Sequence, residues 1–139
     1  MSDGEDLTAD GLWRRCEDKR SVALRMVEDR RSCREAWVAA GAGVEFALKA
    51  VICSRERFNA WPSKAIRPDL YTHDLKRLFM AAGIDLKATP KEIRPAIRQV
   101  LDWDRNHDYS AAPMPRKVAL GMVEAAFGPD GVVEWLKHL

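Results

Sequence analysis

Trp37-Val-Ala-Ala-Gly-Ala-Gly-Val-Glu-Phe-Ala-Leu-Lys-Ala-Val-Ile52 is the stretch on which the fold turns. At 3.6 residues per turn its large apolar residues Trp37, Val44, Leu48 and Val51 line one side. Ala36, Ala40, Gly43, Ala47 and Ala50 form a neighbouring stripe of small residues, where a second backbone is expected to approach closely. Only a narrow strip around Glu45 and Lys49 is polar. A helix apolar almost all round belongs at the centre of a bundle.

Working outward, Thr8 or Asp10 is the expected cap of a preceding helix with Leu12, Trp13, Cys16, Ala23, Leu24 and Val27 on one face. No Gly or Pro separates this helix from the central one, so a turn near 29–32 with Ser32 as the next cap is an assumption. Residues 54–68 contain Asn59, Pro62, Ser63 and Pro68 without periodicity and read as a long loop. Thr72 is then expected to cap a helix with Leu75, Leu78, Phe79 and Ala82 at core spacing, Asp74 in its first turn and Gly83 at its end. Thr89-Pro-Lys-Glu92 reads as a capping box before Ile93, Ile97, Val100 and Leu101. Pro95 is expected to disturb the early turns of that helix. Pro115 opens a last long helix through Val118, Met122, Val123 and Phe127, which Gly128-Pro129 stops, and a short turn follows with Val132, Val133, Trp135 or Leu136 packed inward. No segment alternates over a strand length, so the expected fold is all-α, an up-and-down bundle of four to five helices.

A chain of 139 residues suits one domain, here a short acidic tail at 1–7 and a packed domain over 8–139. A net charge of +2 carries no overall commitment to nucleic acid or membrane. Cys16, Cys33 and Cys53 are odd in number and lack C-x-x-C spacing, so they read as reduced, buried thiols, with neither a disulfide framework nor a metal site expected. The N-terminus is acidic where a signal peptide would be basic, and no run of ~18 apolar residues is read in the sequence, so a cytoplasmic location without membrane attachment is expected. No phosphate loop, H-E-x-x-H or G-x-S-x-G motif is present, and no cofactor is expected.

Ala40-Gly41, Glu45, Leu48-Lys49-Ala50 and Ile52, followed by His73-Asp74-Leu75, Leu78, and then Trp103 with Arg105, form an ordered set of motifs over about residues 7–139. With them the chain resembles the HEPN superfamily. The resemblance implies a helical bundle, commonly a homodimer with paired sites. Many such proteins are RNA-cleaving toxins encoded beside a neutralising nucleotidyltransferase, and others serve as RNA- or nucleotide-binding accessories. In the cleaving members an Arg, usually followed by Asn, Asp or His, precedes a catalytic His by four to six intervening residues.

Arg105-Asn106 matches the first half of that motif, but Ser110, Ala111 and Ala112 stand where the His belongs. Metal-independent cleavage needs a group that moves a proton at neutral pH and a cation that holds phosphate charge. Ser and Ala cannot supply the proton transfer, which leaves Arg105 with His107 as the alternative catalytic pair. The leading expectation is therefore a binding or accessory module for RNA, a nucleotide or a partner protein, within a toxin–antitoxin or defence pair. Its candidate binding residues are Arg105, Asn106, Tyr109, Arg98 and Arg94, with Arg116 and Lys117 at the same end. Asp102, Asp104 and Asp108 are candidate neutralising partners for these cations. Trp61 and Trp103 are candidates to stack on a base or to be buried. Glu45 with Lys49 reads as an i,i+4 pair, and His73 with Asp74 as support for the turn before the third helix. Arg67 and His73 fit the Arg-to-His spacing but precede the wrong helix, so they are not read as the catalytic motif.

Overall fold

The computed structural model describes residues 7–103 and 113–139. Among these it is all-helical: α1 (Ala9–Met26), α2 (Cys33–Glu56), α3 (Leu75–Ala81), α4 (Arg94–Leu101), α5 (Arg116–Phe127) and α6 (Val132–Lys137). Short 3-10 turns lie at Arg30–Ser32 and Pro68–Leu70. The expected all-α bundle is what forms, with no strand among the described residues. Leu7 belongs to the packed domain, because its side chain lies against the core and its carbonyl accepts the Trp61 N–H at 2.7 Å.

Helix α2 is the hub. Trp37, Val44, Leu48 and Val51 are buried, and so are Ala36, Ala40, Gly43, Ala47 and Ala50. Helix α1 packs closely along α2, with Lys19 Cβ 3.5 Å from where a Gly43 Cβ would stand, and aromatic side chains enter the glycine gaps as well. A Cβ on Gly41 would stand 1.9 Å from Trp103 Cε2, and one on Gly43 would stand 2.4 Å from Phe127 Cζ. Trp103 Nε1 also donates to the Trp37 carbonyl at 3.1 Å, with the two indoles 5.7 Å apart at 33°. By length and composition α2 and its lead-in would cross a membrane, but most of that apolar surface is buried inside the bundle, as in the core helix of a soluble fold.

Several helix boundaries differ from those the motifs suggest. Thr8 Oγ1 does cap α1, accepting the Gly11 N–H at 3.1 Å, yet Leu24 is 42% exposed because it lies off the face that meets α2. The turn after α1 is held by Asp29, which accepts from Arg31 N–H and Ser32 Oγ. Ser32 occupies the α2 cap position without bonding to it. These bonds, the backbone one first, hold the Asp29 carboxyl below its usual range. Helix α2 continues through Ser54 to Glu56 and ends at Arg57, in the left-handed region at φ 57°.

For α3 the cap is Asp74, which accepts from the N–H groups of Lys76 and Arg77, while Thr72 Oγ1 accepts from Asp74 N–H. Gly83 ends α3 at φ 77°, and Gly83 N–H to Met80 O with Ile84 N–H to Phe79 O completes a Schellman motif. The capping box at Thr89 does not form. Thr89 Oγ1 donates to Leu86 O, residues 90–93 make a turn, and α4 begins only at Arg94. Pro95 explains this: a helix from Pro90 would put it in the interior, whereas here it sits in the first turn, where no N–H is needed. In α5 Val118 is 43% exposed, because the inward face is carried by Ala119, Met122, Val123 and Ala126. Trp135 is only partly buried, whereas Val132, Val133 and Leu136 are core residues.

All three cysteines are free and buried. Burial pushes the Cys16 thiol from its ordinary 9.0 up to about 12, and it raises Cys53 as well. A thiol raised on folding contributes stability that is complete below the unfolded value and declines as pH climbs toward the folded one. Urea-unfolding stability should therefore fall between pH 9.0 and about 12, by less in Cys16→Ala than in the parent chain. Gly41→Ala should lower stability by about 2–4 kcal/mol, because unseating Trp103 outweighs the ~1 kcal/mol gain in helix propensity. Gly121→Ala, whose Cβ would meet only Gln99 Nε2 at 3.7 Å, should instead raise it by about 0.5–1 kcal/mol.

Candidate functional site

Gly41, Glu45 and Lys49 follow one another at four-residue spacing and so share a stripe of α2. Trp103 covers the first of them, and the loop from 57 to 74 folds back over the other two. On its return the Trp61 ring lies 5.3 Å from Lys49 Nζ, and His73 reaches Glu45. Tyr71 Oη donates to the Pro62 carbonyl at 2.9 Å and ties the two ends of the loop together. Helix α3 then runs alongside α2 in the same direction, from His73 beside Glu45 to Gly83 beside Arg55.

The loop changes what Glu45 is. A residue on the polar strip of an isolated helix becomes 5% exposed, and both of its oxygens are engaged. Lys49 Nζ donates to Oε2 at 3.1 Å, and His73 Nδ1 lies 2.9 Å from Oε1. This is more than the surface i,i+4 pair expected from spacing. Removing a buried charge from water costs several kcal/mol, which close partners must offset. His73 itself is 57% exposed and holds the loop through Nδ1, in agreement with its expected support of the turn. Arg67 is not drawn to it. The Arg67 guanidinium lies over Phe58 and forks Asp69 at 2.8 and 3.0 Å, and these hydrogen bonds raise the Arg67 pKa and hold the Asp69 carboxyl below the usual range.

A second set of expected residues meets on α4. Arg94 and Arg98 line one cleft of about 360 Å³ together with Leu86, Thr89, Ile97, Leu101 and Asp102. Arg94 Nε donates to the Thr89 carbonyl at 2.9 Å, which aims the side chain along the cleft. Arg98 has no hydrogen-bond or ion-pair partner among the described residues, so it is not neutralised by Asp102. Arg116 is not part of this group: its Nε donates to Val27 O at 2.9 Å and its guanidinium approaches Glu28 at 3.9 Å. Across α4 a further cleft of about 390 Å³ is lined by Glu92, Asp130 and Glu134 and has the wrong sign for a phosphate.

Trp61 and Trp103, at 8% and 6% exposure, are core residues and present no face to a base. Arg105, Asn106, His107 and Tyr109, with Asp104 and Asp108, lie outside the described residues, in the sequence between Trp103 after α4 and Pro113 before α5. Among the described residues no group of three His, Cys, Asp or Glu is placed to hold a metal ion. Compared with protein-family models, with curated proteins and with solved structures, the chain matches none of them.

Glu45→Ala should cost about 3–5 kcal/mol in urea unfolding, because Lys49 is left as a nearly buried, unpaired charge. His73→Ala, which removes the exposed partner and leaves the Glu45–Lys49 pair in place, should cost about 1 kcal/mol.

Proposed function

We propose that this chain is a cytoplasmic, HEPN-like binding module whose Arg94–Arg98 cleft takes the phosphate groups of RNA. The observation that carries this reading is the pairing of two guanidinium groups one helical turn apart on the wall of a single cleft, one of them without a counter-ion among the described residues. Guanidinium forks recognise phosphate oxygens through paired, charge-assisted hydrogen bonds, and a partly enclosed cleft strengthens them. The sequence continues beyond Trp103 into Arg105-Asn106, the match to the first half of the family motif, a further cation and amide donor four residues after the end of α4. The missing motif His supports binding without cleavage. The resemblance also suggests a homodimer and a partner nucleotidyltransferase, which would make the module the RNA-binding half of a pair.

Fluorescence anisotropy of labelled single-stranded RNA with the purified chain, in EDTA, tests this. Arg98→Ala should weaken binding and reduce the slope of log affinity against log salt by about 1, and Arg105→Ala should behave likewise. The same samples run on a denaturing gel should show intact RNA. Cleavage lost in both Arg105→Ala and His107→Ala would replace this reading with a ribonuclease, and absence of binding by the parent chain would remove it.

A further inference from the structure

The Glu45–His73 pair is built in a way that a simple loop clamp does not require. An apolar residue at 73 packed on an apolar residue at 45 would hold the loop without burying a carboxylate, and such replacements are often neutral or stabilising. Instead the 5% exposed carboxylate spends one oxygen on Lys49 and the other on His73 Nδ1, at 2.9 Å, while the imidazole stays 57% exposed. With Nδ1–H donated to Glu45, the ring lone pair is confined to Nε2, which has no partner among the described residues. A carboxylate behind an imidazole fixes its tautomer and stabilises positive charge that develops on the ring. Next to His73 the Asp74 carboxylate is matched by Arg77 at 3.7 Å, as Glu45 is by Lys49, and Lys76 on the first turn of α3 is the remaining cation that favours an anionic group near that nitrogen.

His138 provides the contrast. It is more exposed, at 78%, but its neighbour Glu134 approaches Nε2, at 3.5 Å, and so occupies the nitrogen that His73 leaves open.

We propose that His73 is a phosphoryl-accepting histidine, modified at Nε2, with Glu45 as its positioning residue. The donor is an acyl phosphate, a class that transfers its phosphoryl group without a metal-bound nucleotide. The Nε2 lone pair attacks phosphorus and a P–N bond forms. The bond from phosphorus to the donor breaks, and its electron pair leaves with the carboxylate of an acyl phosphate. No proton is released, because the proton stays on Nδ1, hydrogen-bonded to Glu45 Oε1, and the carboxylate stabilises the positive ring. This modification goes beyond the RNA-binding reading and does not depend on it.

The test is incubation of the full chain with acetyl phosphate in EDTA, followed by intact mass measurement, peptide mapping and 31P NMR. The expected result is a single acid-labile, base-stable phosphoryl group on His73, absent from His73→Ala and retained in His138→Ala and His107→Ala. Glu45→Gln, shown by circular dichroism to be folded, should react at least ~10-fold more slowly. If that variant unfolds, the parent chain decides through diethyl pyrocarbonate, which should modify His73 faster than the more exposed His138. A phosphoryl group spread equally over the histidines, no group on His73, or an unchanged rate in folded Glu45→Gln would each overturn the assignment.

Discussion

Trp103 seats against the central helix only because Gly41 has no side chain. The contact is made at an indole edge that a Cβ would overlap, and the same indole donates to the Trp37 carbonyl within the helix. Much of the bundle follows from that seat. It fixes where α4 ends on α2, and therefore where α4 turns its arginines outward. Gly43 plays the matching part for Phe127 at the end of α5. Two missing methyl groups in one stretch of α2 thus set the positions of both later helices against it.

The loop from 57 to 74 is the second constraint. It retraces the polar stripe of α2 and converts a surface carboxylate into a buried one. A buried charge tolerates little displacement of its partners, since each loses a strong hydrogen bond without gaining water. Glu45 therefore locks the loop in place while holding an exposed imidazole at the surface. The Arg94–Arg98 cleft and the His73 site are separate features of one molecule. The first is a cleft lined by two arginines, and the second is a single oriented nitrogen.

Much of the fold was legible in the residues themselves. Periodicity identified α2 as the core helix, and Gly83, Pro115 and Gly128 marked ends where the structure has them. The errors came where two local signals competed. Thr89 offered a capping box, but Pro95 six residues later made a helix start there untenable. Thr72 and Asp74 both suit a cap, and only Asp74 has its side chain within reach of the Lys76 and Arg77 N–H groups. Leu24 and Val118 fit a helical face by spacing, yet the packing of the described helices leaves both of them largely at the surface. For the site, Arg94 and Arg98 were identified from one turn of spacing, whereas the Glu45–His73 contact spans 28 positions and leaves no trace in local pattern.

The sequence by itself determined that the chain is helical, which helix is central, and that its cysteines are buried, because these depend on the periodicity and size of neighbouring side chains. Tertiary structure alone decided that Gly41 receives an indole, that Glu45 is buried with His73, that Arg98 stands without a counter-ion among the described residues, and that Arg116 is tied to α1. Each of those outcomes depends on which distant segment a side chain meets, and the burial, charge and hydrogen bonding that define them exist only once the segments are packed.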